Sequence, residues 1–238
     1  MLVQTKGIVF RQTKFSETSV IALIYTEKFG LLSYIVQGIR RQGSKQKAAL
    51  LQPGSYLDLV VYHRPEKKLN RIKEMKAAIV YQFIPFNVVR GMLLLFMIEV
   101  CTHSIKEEEI NHDLFTFLEE AVIKLESAST SMKYFPQQFL LYLSQHLGIQ
   151  PNLSQGVYFD LVEGSFTDSR PIHNNYVDGD GVEIIRKIIK NNKWINLTIE
   201  ISKKDRTNLT KALLAYYNYH LTNFGQLKSI DILEQVLN

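Results

Sequence analysis

Cations and aromatic rings, not catalytic groups, are the chemistry this sequence concentrates. Arg11 and Lys14, then Arg40, Arg41, Lys45 and Lys47, then Arg64, Lys67, Lys68, Arg71, Lys73 and Lys76 form three clusters within the first 80 residues. Phe15, Tyr25, Phe29, Tyr34, Tyr56 and Tyr62 lie among them. Guanidinium and ammonium groups neutralise phosphate, and an exposed ring offers a face on which an unpaired base stacks. Residues 1–80 hold 14 Lys or Arg against 5 Asp or Glu, whereas residues 81–238 hold 14 against 18. Charge segregated in this way points to a polyanion partner for the first part, nucleic acid foremost.

Other chemistries fare worse. Histidines 63, 103, 112, 146, 173 and 220 show no metal-ligand spacing. No nucleophile elbow, phosphate-binding Gly-Lys loop or dinucleotide fingerprint occurs. Asp178-Gly179-Asp180-Gly181 looks like part of a calcium loop. Setting Gly181 at the sixth loop position, however, puts Tyr176 first and Lys187 twelfth, where carboxylates are required. A polar turn with Asp180 as helix N-cap fits better. His220, among Tyr216, Tyr217 and Tyr219, reads as a packed or surface histidine. The single cysteine, Cys101, sits in an apolar stretch and excludes both an intramolecular disulfide and a multi-cysteine zinc site. No cofactor and no metal are expected. The longest apolar run, Met92 to Ile98, is too short to span a bilayer, and no leader pattern opens the chain, so a cytoplasmic protein is expected.

The elements that must position the cations change character near residue 80. Before it, β-branched and aromatic runs predict strands at Ile8–Phe15, Ser19–Thr26, Leu31–Gln37, Tyr56–His63 and Leu69–Met75. Leu57, Leu59 and Val61 alternate with polar neighbours, while Leu69, Ile72 and Met75 also fit a helical spacing. Lys28-Phe29-Gly30 predicts a tight turn, and Gly38 to Lys47 a long basic loop. Five short strands suggest a small barrel, with the OB type a natural candidate. After residue 80 the spacing turns helical: Val89 to Val100, a helix behind Asn111-His112-Asp113, one from about Met132 to Leu147, then Gly181–Lys190, Asp205–Asn223 and Ser229–Leu237. Ser202 to Asp205 reads as a capping box. Residues 156–166 read as a hairpin turning at Glu163-Gly164. The expected class is α+β, with an OB-type barrel at 1–80, a helical domain at 81–238 and a hairpin lobe at about 149–175.

Gly7-Ile8-Val9-Phe10-Arg11, Ser16-Glu17-Thr18-Ser19-Val20, Thr26 through Leu32, Gly38-Ile39-Arg40-Arg41 and Leu51-Gln52-Pro53, in that order, resemble the amino-terminal module of the RecO recombination mediators. Leu213–His220, Leu227-Lys228-Ser229 and the final Leu-rich helix resemble the end of the same family. The resemblance implies a non-enzymatic DNA repair and recombination protein that binds single- and double-stranded DNA and anneals complementary strands. It also implies work with RecR, contact with the acidic tail of the single-stranded DNA-binding protein SSB, and help in loading RecA. Many members carry a four-cysteine zinc module just beyond a Pro-Asn-Leu-like segment. Here Pro151-Asn152-Leu153 is present but the hairpin has no cysteine, and Tyr158, Phe159, Leu161, Val162 and Phe166 are expected to hold the lobe by apolar packing.

The candidate DNA contacts are therefore Arg11, Lys14, Arg40, Arg41, Lys45, Lys47, Arg64, Lys67, Lys68, Arg71 and Lys73. The candidate stacking rings are Tyr25, Tyr34, Tyr56 and Tyr62, and the candidate cations for the SSB tail are Arg90, Lys124 and Lys133. Two other classes remain open to the residues themselves: an RNA-binding OB protein, and a small enzyme acting on a phosphorylated substrate through a paired acid and base.

Overall fold

The computed structural model describes residues 1–39, 45–106, 109–128, 131–191 and 193–237. Two compact units emerge, one of residues 1–86 and 98–126, the other of 87–97 and 127–238. The first unit is a closed five-stranded barrel ordered β1(Leu2–Lys14)-β2(Val20–Thr26)-β3(Gly30–Val36)-β5(Leu69–Ala77)-β4(Tyr56–Tyr62). All five expected strands form, and β5 is a strand despite its helix-like spacing. Its ladder to β4 puts Ile72 opposite Val61 in the core, with a bulge next to that pair. β1 starts earlier than the sequence suggests, at Leu2, because it pairs with β4 as well as β2. Gly30, at φ 62°, closes the β2–β3 turn. A short helix, α1 (Lys45–Ala49), precedes β4. Inward-facing Val9, Ala22, Ile24, Leu32, Tyr34, Leu57, Leu59, Val61 and Ile72 fill the barrel.

Outward-facing residues divide. On one half, Phe10, Tyr25 and Tyr56 lie under α3 (His112–Glu126), which belongs to this unit together with the end of α2 (Val88–Ser104). Phe115 of α3 stands 6.2 Å from the Tyr25 ring and 6.4 Å from Tyr56, and Tyr25 stacks on Phe10 at 5.8 Å. One turn on, Glu119 accepts hydrogen bonds from Tyr56 Oη and, at 3.0 Å, from Lys6 Nζ. Partial burial pushes the Glu119 carboxyl up, but the bonds from Tyr56 and Lys6 outweigh it and hold it below the usual glutamate range. Asn111 starts the helix as the sequence suggests, its Oδ1 accepting from Leu114 N at 2.9 Å.

The second unit holds the start of α2, then α4 (Phe135–His146), α5 (Asp180–Asn191), α6 (Lys203–His220) and α7 (Ser229–Leu237). Gln137 on α4 donates to Thr210 Oγ1 on α6, and Tyr217 on α6 donates to the Leu140 carbonyl. Ser202 caps α6 by accepting from Asp205 N at 3.1 Å. Asp180 is the first residue of α5 rather than its cap. The expected hairpin is present as β6 (Tyr158–Asp160) and β7 (Ser165–Thr167), and a third strand, β8 (Tyr176–Val177), pairs with the other edge of β6. Of the residues expected to hold the lobe, Phe159, Leu161 and Phe166 are buried and Tyr158 and Val162 half-buried; Phe159 meets Phe166 at 5.0 Å and Tyr216 of α6 at 5.8 Å. Asp160 Oδ1 accepts from the amides of Val162 and Glu163 and so shapes the turn. His220 is packed, bonded to the Leu161 carbonyl and lying against Tyr216.

Two outcomes follow from this packing. A Cβ on Gly7 would stand 2.7 Å from Ile24 Cγ2 and 3.0 Å from Leu59 Cδ1 inside the barrel. Gly7→Val should therefore lower stability by about 1–3 kcal/mol, read as a shift in the urea midpoint at unchanged slope. For Glu119 the depressed carboxyl means stability that is full above the unfolded value near 4.5 and is lost as pH falls through the lower folded value. Glu119→Gln should be the less stable protein at pH 7, and the gap to wild type should close toward pH 3 in denaturation series. A gap independent of pH would contradict the assignment.

Candidate nucleic-acid interface

The other half of the barrel's outer surface is uncovered, and the strand register shows what it presents. One row runs Arg11 (β1), Leu23 (β2), Ser33 (β3), Leu69 (β5). The adjacent row runs Thr13, Ile21, Ile35, Arg71 and, on β4, Tyr62. Arginines thus flank a strip of half-buried apolar side chains. Three interstrand steps of about 4.8 Å separate the strand of Arg11 from that of Arg71, about 14 Å in all. Two loops bound the strip. The β1–β2 loop closes through Phe15 N to the Ser19 carbonyl at 3.1 Å and carries Phe15, next to Lys14 at the end of β1. The β4–β5 loop carries Arg64, Lys67 and Lys68, all exposed.

Asn70 sets the shape of that second loop. Buried at the start of β5, it accepts from Arg64 N at 2.8 Å and donates to the Lys67 carbonyl at 3.1 Å. His63 anchors the loop's first residue by stacking on Phe29, with ring centroids 3.8 Å apart. Its burial, with the nearby N-terminal ammonium, lowers the imidazole pKa. The loop backbone is thereby consumed internally and its cations point to solvent. Among the described residues, Arg11, Lys14, Lys47, Arg64, Lys67, Lys68 and Arg71 have no carboxylate within 4.0 Å. Lys73 pairs with Glu74 at 3.3 Å. Arg40 and Arg41 lie outside the described residues, as does the Lys45 side chain.

The aromatic expectations need correction. Tyr25, Tyr34 and Tyr56 are 1%, 0% and 2% exposed, so none offers a ring face. Tyr34 points into the barrel, where alternation along β3 places it, and Tyr25 and Tyr56 are roofed by Phe115. Burial raises all three phenols, Tyr34 to about 12. Tyr62, 43% exposed beside Arg71, and Phe15, 57% exposed on the β1–β2 loop, are the rings that face solvent at this strip. Asn70 is a site residue that sequence reasoning does not single out, and Phe15, noted among the aromatic residues, is not among the expected stacking rings. Phe15 ends the first predicted strand, next to Lys14, and its exposure is set by the turn it enters, whereas Asn70 acts only through tertiary hydrogen bonds.

The cations expected for an acidic tail do not converge as a set. Arg90 is buried, its Nη1 donating to the Ser127 carbonyl at 2.6 Å, so it is a structural cation. Lys124 belongs to the first unit, and its partial burial lowers its pKa. Lys133 alone lines a small pocket of about 120 Å³ in the second unit, with Pro136, Leu233, Lys203 and Arg206. It is also paired with Glu200.

The closed barrel and the helical second unit agree with the comparisons. The family model for the Recombination protein O N terminal matches residues 1–81, and that for the Recombination protein O C terminal matches residues 86–229. The chain is 31% identical over 242 residues to the DNA repair protein RecO of Bacteroides fragilis, covering 100% of both chains. Similar proteins of the same name from Flavobacterium psychrophilum and Phocaeicola vulgatus are 32% and 30% identical over 241 residues, again with 100% of both chains covered. The barrel followed by helices and the match along the whole chain place this protein in the RecO family of DNA repair proteins.

Proposed function

We propose that this protein is a non-catalytic recombination mediator that binds single- and double-stranded DNA, anneals complementary strands, and acts with RecR on SSB-coated DNA to help load RecA. The observation that carries the reading is the arginine-flanked strip, whose cations, free of carboxylate partners among the described residues, surround an apolar floor. Arg11, Lys14, Arg64, Lys67, Lys68 and Arg71 hold phosphates, and Tyr62 and Phe15 stack on bases at the two rims. Neutralising the phosphates of two strands lowers the repulsion between them, which speeds pairing without any bond being made or broken. The site is read through charge, so binding is sequence-independent and steeply salt-dependent.

Combining Arg64→Glu, Lys67→Glu and Lys68→Glu should weaken binding to a dT oligonucleotide and cut the slope of log affinity against log salt by about 2, at about 0.7 for each phosphate no longer neutralised. Annealing of complementary oligonucleotides should slow in parallel. A variant that folds and keeps both the affinity and the slope would refute this interface.

The tail of SSB, acidic and apolar-ended as the family resemblance implies, suits the pocket of Lys133, Lys203, Arg206, Pro136 and Leu233, where three cations outnumber one lining carboxylate, Glu234, itself paired with Lys211 at 2.7 Å. Arg206→Glu with Lys203→Glu should abolish binding of a tail peptide in a fluorescence-anisotropy titration while leaving oligonucleotide binding unchanged. Undiminished tail binding would move the docking site elsewhere.

A further inference from the structure

β5 offers a strand edge that the barrel does not use. It pairs with β4 from Arg71 to Ala77, with a bulge at Lys73, but with β3 only through Leu69, Asn70 and Arg71. Ala78 N donates to the Tyr56 carbonyl at 2.9 Å. Bonded pairs alternate along an antiparallel ladder, so Glu74 and Lys76 turn their amides and carbonyls toward β4, while Met75 and Ala77 turn theirs away. Among the described residues, no hydrogen bond reaches Met75 or Ala77 from that side. The edge opens on a groove of about 880 Å³, lined on β5 by Arg71 through Lys76 and, beyond the edge, by Val36, Gln37 and Lys47.

We propose that this edge docks an extended acidic peptide of a partner protein, which adds as a strand alongside Lys73–Ala77. An added strand satisfies the idle amides and carbonyls and places alternate side chains on the outer face. There Arg71, with Lys47 across the groove, meets carboxylates of the peptide without a carboxylate partner of its own among the described residues, and Lys73 and Lys76 add charge shared with Glu74 and Asp58. A second copy of the chain is a poor occupant, because its own edge brings the same lysines into register. A nucleic-acid strand is also a poor one, because a phosphodiester has no donor for the free carbonyls. The groove carboxylates Asp58 and Glu74 do not decide between the two, being paired with Lys76 at 3.6 Å and Lys73 at 3.3 Å.

The test uses the full chain and a labelled, blocked octapeptide of alternating Glu and Val, with an alternating Lys and Val peptide as control. The acidic peptide should bind at least tenfold more tightly than the basic one by anisotropy. On saturation the amides of Met75 and Ala77 should gain hydrogen-exchange protection. Ala77→Pro removes one edge donor without touching the β4 ladder; it should weaken the acidic peptide at least tenfold and leave dT oligonucleotide affinity within twofold. Should that variant fail to fold, Lys76→Glu serves instead and should narrow or reverse the preference between the two peptides. Equal binding of both peptides by wild type, wild-type affinity in the variants, or protection of these amides by the oligonucleotide and not by the peptide would each overturn the proposal.

Discussion

The seat of α3 on the barrel governs what the first unit can do. A small barrel has two surfaces, an inner one that must be packed and an outer one that is by default wet. Here Phe10, Tyr25 and Tyr56 form an outer aromatic patch that water would solvate poorly, and Phe115 covers it. Covering costs the desolvation of the Tyr56 hydroxyl, which is compensated by donation to Glu119, itself held by Lys6. The contact is therefore apolar in its area and polar in its register. It also settles which part of the outer surface remains open, since α3 takes only the half near Ile8, Tyr25 and Tyr56.

The open half owes its character to that division. Rows of the ladder bring Arg11 and Arg71, 60 positions apart in sequence, to the two sides of one strip. Asn70 then does for the β4–β5 loop what a turn motif would do locally: it ties up the backbone of Arg64 and Lys67 and leaves their side chains to solvent. Electrostatic attraction needs no more architecture than this, because phosphate is recognised by charge at short range and salt screens the rest. Carboxylates elsewhere on the barrel are spent on local pairs, Asp58 with Lys76 and Glu74 with Lys73, on the β4 and β5 side away from β2.

The lobe of the second unit shows a different solution to a small-core problem. Three short strands bury little area by themselves. Phe159 and Phe166 extend the core onto Tyr216 of α6, and Arg186 of α5 lies 4.6 Å over the Phe166 ring while donating to the Gly156 carbonyl. The Asp160 carboxylate then fixes the turn through two amides, and His173 approaches its other oxygen at 3.3 Å. Apolar contact with the helices supplies what the lobe lacks in size.

Period and punctuation made the elements legible from the residues alone. Leu57, Leu59 and Val61 declared β4, Asn111 and Ser202 declared helix starts, and the surplus of Lys and Arg before residue 80 declared a basic surface. These are local properties, set by backbone sterics and nearest neighbours. Tertiary structure decided the rest. Tyr25, Tyr34, Tyr56 and Tyr62 are alike in sequence, each a tyrosine in a strand among cations. Which side of the sheet each faces, and whether a helix lies over it, depends on register and on α3, which begins 50 residues after the last of them. The compact units likewise cross the sequence boundary near residue 80, because α3 packs back onto the barrel. The sequence by itself determined that strands would carry positive charge; the register and the helix that roofs half of the barrel determined which charges and rings face solvent together, because contacts between distant segments are fixed by packing and not by spacing.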